Sequence, residues 1–452
     1  MGLCLSLKKL GCVPVFLLFI LISAEAKEVK ITCSGMTVKV SDGIWTAGSR
    51  KIPVKGVEFR IDPPTIVSVE SEVVAIGDER LNQWAAGTRL KGVIAKRIYH
   101  GLPGCLVPDS VVVKSRDGTV YEEGIDYIVD HTWGAMGRIS DGKIEKGEKV
   151  LVDYKYSLQR IDLIQCDARG NLSIKKGKEE KTCPVPPVPD EGNYALANIF
   201  LPYNTTELTE DMIFPVLSAE VPEDLLSGKA PPYPGPAEEE LEKIKFVHNT
   251  LEKLRKGDTV TIVFWGNSVT AGGDASSPAK AFPQVFVKML REKFPDATIK
   301  LKNAGIGGSN TNQRLPNLQK EVLRFNPQLV VIEFVNDMGM ERDNLRNNYF
   351  SAIDQIREAG AEVIILTPHF VMPSWMGISS VKHAVETRPA VQWLREIAEE
   401  KQVGLADVSK RWERLAQEGI PYTTLLWNGI NHPDDRGHKI FAEELIKFFP
   451  GK

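Results

Sequence analysis

The chain has 452 residues, 42% hydrophobic and 25% charged, with a formal net charge of -3 at pH 7. That length exceeds one typical domain, and the apolar and charged shares are those of soluble globular protein. The near-neutral charge removes the electrostatic case for nucleic acid.

Lys8 and Lys9 precede a short apolar run, "VPVFLLFILIS" (13–23), and "AEA" (24–26) has the small-x-small pattern of a cleavage site. Residues 1–26 are therefore expected to be a signal peptide, cut after Ala26, giving a secreted or periplasmic product. The rival is an uncleaved anchor, for which the apolar run is short. Cys12 lies before the apolar core, the wrong side for lipid attachment. No later segment has 18 unbroken apolar residues, so no membrane span is expected in the mature chain.

Residues 27–230 read as β-rich, with one or two β-sandwich-like modules. "SVVVKSRDGTVYEEGIDYIVD" (110–130) places β-branched runs around an Asp117-Gly118 turn, and 149–176 alternates in the strand manner with a turn at "DARGN". Four cysteines follow the leader, Cys33, Cys105, Cys166 and Cys183, all in this half. An exported chain with that distribution is expected to hold at least one disulfide, its pairing open. None has C-x-x-C spacing, so no metal site is expected. "NTT" (204–206) matches a glycosylation acceptor. Residues 231–240, "PPYPGPAEEE", read as a proline-rich linker.

From 241 to 452 the pattern changes. Leu241, Ile244, Val247, Leu251 and Leu254 fall at helical spacing, as do Phe282, Phe286 and Met289, and Leu345, Tyr349, Ile353 and Ile356 before Gly360. Between them recur apolar strand-like runs at 259–265, 297–303, 328–335, 361–368 and 403–408. Such alternation predicts an α/β fold: a parallel sheet covered on both faces, with sites beyond the carboxyl ends of its strands.

Ser268 follows the first of these strands in "GNSVTAG", Gly307 and Gly308 the second in "NAGIGG", Asn336 the third in "VND", and His432 precedes the last helix in "NHPDDRGH". All project from one sheet edge. A serine hydroxyl needs a base to take its proton, and imidazole supplies one. The backbone N–H groups of Ser268 and Gly308, with the Asn336 amide, offer donors for an oxyanion. Position 270 is threonine, so G-x-S-x-G is absent and the α/β-hydrolase elbow is disfavoured.

In this order the four blocks resemble the SGNH, or GDSL-type, hydrolase superfamily over about residues 245–450. The resemblance implies a three-layer α/β/α sandwich with Ser268 as nucleophile, Gly308 and Asn336 as oxyanion donors, His432 as base, and no metal or organic cofactor. Two positions depart from the family pattern. Asn267 stands where aspartate is usual. Gly429 and Asn428 stand where an aspartate usually precedes the histidine, so the expected site is a Ser–His dyad helped by Asn428 or a backbone carbonyl, or by an acid from elsewhere, with Asp407, after the fifth strand, a candidate by fold position only. His438 is read as structural, and His369, after the fourth strand, as either a substrate contact or a loop residue. Trp375 and Trp427 lie on loops at the site side, where a sugar ring could stack. The favoured function is a secreted serine esterase removing a small acyl group, acetyl first, from a small-molecule or polysaccharide ester, with a carbohydrate as the favoured alcohol. The alternatives are an O-acyltransferase using the same serine and a catalytically weak carbohydrate-binding protein.

Overall fold

The computed structural model describes residues 28–47, 50–78, 81, 87–217 and 242–451. The leader-like segment 1–26 and the proline-rich stretch 231–240 lie outside the described residues. Among the described residues no helix is long and apolar enough to cross a membrane.

Among the described residues the first half is β-rich, built of small antiparallel sheets around two large apolar cores, with a small third cluster, Ile161, Phe200 and Phe214, packed against Val381 and Ala416 of the other half. One core lies under Ile66–Ala75, Val112–Lys114 and Lys149–Ser157, and holds Leu90, Val93, Leu102, Val113, Val150 and Val152. The other lies under Arg160–Cys166 and Tyr194–Leu201 and takes Val38, Val40 and Trp45 from the first strands. Both expected turns are present. Gly118, at φ 93°, follows the strand Val112–Lys114, and Gly170, at φ 79°, joins Arg160–Cys166 to Leu172–Lys175. In each, glycine takes a left-handed conformation that a side chain would strain.

The expected disulfide is absent, and all four cysteines are free thiols. Cys105 sits in the first β core and donates to the Ser157 carbonyl, whereas Cys33 and Cys166 belong to the second. Cys183 is buried elsewhere, beside Asp434 and Arg436 of the other half. Burial pushes the Cys105 and Cys166 thiols up to about 12 and about 11, against the thiolate that exchange chemistry needs. The acceptor-like Asn204 also has an internal use, because its Nδ2 donates to the carbonyls of Gly104 and Leu106.

The second half is the predicted α/β fold. Its sheet runs β2-β1-β3-β4-β5, where β1 is Thr259–Gly266, β2 Thr298–Gly305, β3 Leu329–Glu333, β4 Glu362–Leu366 and β5 Gly404–Ala406. Every pairing is parallel. Period-two alternation divides the strands between two cores. Ile262, Phe264, Val331, Ile364 and Leu366 face helices α1 (His248–Lys256), α3 (Phe282–Lys293) and α6 (Asp435–Ile446). Val263, Trp265, Val330, Ile332 and Ile365 face α4 (Arg342–Glu358) and α5 (Pro389–Lys401). A short helix, α2 (Ser268–Ala271), directly follows β1.

The two halves touch through the strand Tyr194–Leu201 and neighbouring loops. Asn198 donates to the Gly419 carbonyl at 2.7 Å, Leu217 N–H to Gln417, and Thr182 Oγ1 to the Trp427 carbonyl at 2.8 Å.

Candidate active site

Strand β1 ends where a side chain cannot fit. A Cβ on Gly266 would lie 2.1 Å from Thr270 Oγ1 and 2.2 Å from the Glu333 carbonyl. The chain therefore turns tightly into α2. Asn267 caps this helix through Oδ1, which accepts from Val269 N–H at 2.9 Å. Aspartate would accept the same bond, so the asparagine is a mild change. Ser268 is the first residue of α2 and is half-buried.

His432 Nε2 lies 2.9 Å from Ser268 Oγ, and its Nδ1 lies 2.8 Å from Asp274 Oδ2. Serine, imidazole and carboxylate thus form one hydrogen-bonded line. The two ring nitrogens face different partners: a neutral ring that donates Nδ1–H to the carboxylate leaves Nε2 to accept from the hydroxyl. Gly273 packs against the ring, since a Cβ there would lie 3.0 Å from His432 Cε1.

Asn428 does not hold the imidazole. Its Oδ1 accepts three backbone N–H bonds, from Ile430, Asn431 and His432, each at 2.9 Å. It shapes the histidine loop, and its acceptor is already used. Asp407 is not the acid either. It caps the helix Val408–Glu413 and is paired with Arg395 at 2.9 Å. Of the expected partners, neither Asn428 nor Asp407 reaches the ring; the carboxylate at Nδ1 is that of Asp274.

Asn336 lies exposed in the turn after β3 and donates Nδ2 to the Ser309 carbonyl at 2.9 Å. That bond uses one of the two amide hydrogens. Gly308 is exposed at φ 71°, and its neighbour Gly307 runs beside the serine, with a Cβ position 3.9 Å from Ser268 Cβ. Buried groups hold these loops together. Arg314 donates to the Gly266 carbonyl at 2.9 Å and the Ala304 carbonyl at 2.7 Å, tying the ends of β1 and β2. Glu333 accepts from Thr270 Oγ1 at 2.7 Å and Val335 N–H at 3.0 Å, while Asp337 accepts from Thr311 N–H. Burial raises both carboxyls to about 7.

His369 is fully buried, and its Nε2 pairs with the Asn431 carbonyl at 2.8 Å. Of its two expected roles, the structure gives the loop one. Burial holds its pKa well below the ordinary value, so the ring is neutral. His438, expected to be structural, is buried with Nε2 3.2 Å from the Gly273 carbonyl, and burial lowers its pKa to about 4. Trp375 is 49% exposed, whereas Trp427 is half-buried.

Residues 264–440 match the model of the GDSL-like Lipase/Acylhydrolase family. This half of the chain carries a GDSL-like hydrolase domain. Residues 109–219 match a domain of unknown function, and no curated protein matches the chain. Among solved structures, a two-domain esterase active on acetylated mannans is 20% identical, with 45% of this chain and 52% of that chain covered and a TM-score of 0.39. The chain thus spans about half the length of that esterase. An acetylxylan esterase from Geobacillus stearothermophilus is 18% identical, covering 43% of this chain and 95% of its own, with a TM-score of 0.36. LAE5, an alpha/beta hydrolase enzyme from the metagenome of Lake Arreo, Spain, is 20% identical, with 41% and 93% covered and a TM-score of 0.35.

In the GDSL-like domain, Asp274 is the residue that sequence reasoning missed. It is the first carboxylate after Ser268, six positions on, behind the pair Gly272-Gly273. Gly272, at φ 93°, ends α2 and turns the chain back, and Asp274 itself is left-handed at φ 60°. A glycine pair followed by an acid, one turn beyond a candidate nucleophile, was the available signal.

Proposed function

We propose that this chain is a serine esterase that removes a small acyl group, acetyl first, from a carbohydrate outside the cell. The observation that carries the chemistry is the line Ser268–His432–Asp274, with contacts of 2.9 and 2.8 Å. In this reading Ser268 Oγ attacks the ester carbonyl as its proton passes to His432 Nε2. Asp274 fixes the ring and stabilises the imidazolium that results. The negative charge on the former carbonyl oxygen is met by the N–H groups of Ser268 and Gly308 and the free N–H of Asn336. The tetrahedral adduct collapses, and His432 returns the proton to the departing sugar hydroxyl. Water, activated by the same imidazole, then attacks the acyl-serine, releasing the carboxylic acid and restoring the serine.

The carbohydrate alcohol and the location are supported by the leader-like start of the chain and the β-rich half joined to the hydrolase domain. Acetylated mannan and acetylated xylo-oligosaccharide are also the substrates named for solved esterases of this kind. The test is a chain-length series of p-nitrophenyl acetate, butyrate and octanoate, run beside acetate release from acetylated mannan and xylan. The expected order places acetate first and shows acetate release from at least one polysaccharide. Preference for octanoate with no release from either polymer would contradict the substrate assignment.

A further inference from the structure

The β-rich half reaches the catalytic line at the turn Lys96–Arg97. Arg97 Nη2 donates to the Asp274 carbonyl at 3.0 Å, across 177 residues of sequence. The same guanidinium lies 4.5 Å from the centroid of the Trp427 ring. Trp427 belongs to the histidine loop, and its backbone N–H donates to the His432 carbonyl at 2.8 Å. Its indole Nε1 donates back to the Lys96 carbonyl at 2.9 Å. One exposed side chain thus contacts the turn that carries the acid and the loop that carries the base.

The backbone at this contact is unusual on both sides. Arg97 has φ 73° and Asp274 φ 60°, left-handed values that non-glycine residues seldom adopt. Such conformations persist where surrounding contacts hold them. Two glycines precede the acid; Gly273 is held by its N–H to the Ser268 carbonyl at 2.7 Å and by His438 Nε2 at its carbonyl, whereas the Asp274 carbonyl takes the Arg97 guanidinium. The Asp274 carbonyl is therefore a natural place to fix the carboxylate's approach to Nδ1.

We propose that Arg97 is a positioning residue for the acid–base pair: a side chain of the β-rich half that aligns Asp274 with His432 by holding the Asp274 carbonyl and the Trp427 ring together. It rests on the assignment of Asp274 as the acid. Arg97 touches no reacting atom. Its loss loosens the Nδ1 contact, and a small misplacement of a catalytic group costs far more in rate than in stability. Burial depresses the pKa of the neighbouring imidazoles His100, His369 and His438.

The test uses the full chain and p-nitrophenyl acetate, with Arg97→Ala, Arg97→Lys, Asp274→Asn and the double variant Arg97→Ala/Asp274→Asn. Arg97→Asn is included because asparagine accepts left-handed backbone, so it removes the guanidinium with the turn preserved. Arg97→Ala and Arg97→Asn are expected to lower kcat roughly tenfold, with KM within about twofold, and to move the acid limb of the kcat/KM profile to lower pH. Arg97→Lys should recover part of the rate. In the Asp274→Asn background Arg97→Ala should cost less than about twofold, because the group it positions is gone. If Asp274→Asn collapses activity while Arg97→Ala is silent, or costs equally in both backgrounds, the positioning role is wrong and the acid stands. If Asp274→Asn is itself silent, the acid assignment and the proposal both fail.

Discussion

The two halves solve the same problem, burying apolar surface, in ways that leave opposite traces. The α/β half packs one parallel sheet on both faces, so its strands are continuous apolar runs and its helices show a clear stripe. The ends of β1, β2 and β3 bring Ser268, Gly308 and Asn336 to one edge, and the His432 loop meets them from in front of α6. The β-rich half divides its surface between two cores and five small sheets, and its loops carry no such order. Yet a loop of that half reaches the catalytic line, through Arg97.

The strongest way to break the picture of a strand-end site is Ser268→Ala. Hydrolysis of p-nitrophenyl acetate should fall roughly 10⁵-fold, since nucleophile and base act as a unit, with the melting temperature nearly unchanged. A residual rate above a tenth of wild type would remove Ser268 from the chemistry. Next in size is Asn336→Ala. Loss of one oxyanion donor should lower kcat by about 10²-fold and leave KM within a few-fold. An effect on KM alone would place Asn336 in substrate binding instead.

Most of the second half was legible in the sequence because period and composition agreed. Leu345, Tyr349, Ile353 and Ile356 are all buried on α4, and all five expected strands form within a few residues of their predicted bounds. Ser268 and His432 were legible from their blocks. Asp274 was not, because the acid was sought before the histidine, and a carboxylate six residues after the serine reaches the ring only once Gly272 turns the chain back. The disulfide failed for another reason. Cysteines sharing one half need not share a neighbourhood, and here they are split between two cores and an inter-half contact. Inter-half contacts such as Arg97 to Asp274 leave no local pattern at all.

Asn428→Asp sharpens the reading of the histidine loop. The Asn428 oxygen already serves three backbone N–H groups, so a carboxylate there should keep the loop and change kcat/KM by less than about threefold. A large gain would mean that the imidazole takes its charge partner from position 428.

A smaller effect concerns the buried carboxyls beneath the site. Burial raises Glu333 from 4.5 to about 7. The folded state therefore holds a proton that the unfolded state releases. That contribution is fully present below about pH 4.5 and is lost as pH rises through about 7. Across this window it makes wild-type stability fall by roughly 1.4 kcal/mol per pH unit. Glu333→Gln keeps an acceptor for Val335 and a donor for Thr270 without titrating. Denaturant melts from pH 5 to pH 7 should show a shallower decline in the variant, and equal slopes would mean that Glu333 is not proton-linked.

The central claim is that Asp274, and no acid on the histidine side, completes the line with His432 and Ser268. It is tested most directly by kcat/KM for p-nitrophenyl acetate in wild type, Asp274→Asn and Asp407→Ala across pH 5 to 9. The account predicts a loss on the order of 10³-fold in Asp274→Asn, with the acid limb moved to lower pH, and a near-wild-type profile in Asp407→Ala. Collapse in Asp407→Ala with an unchanged profile in Asp274→Asn would contradict it.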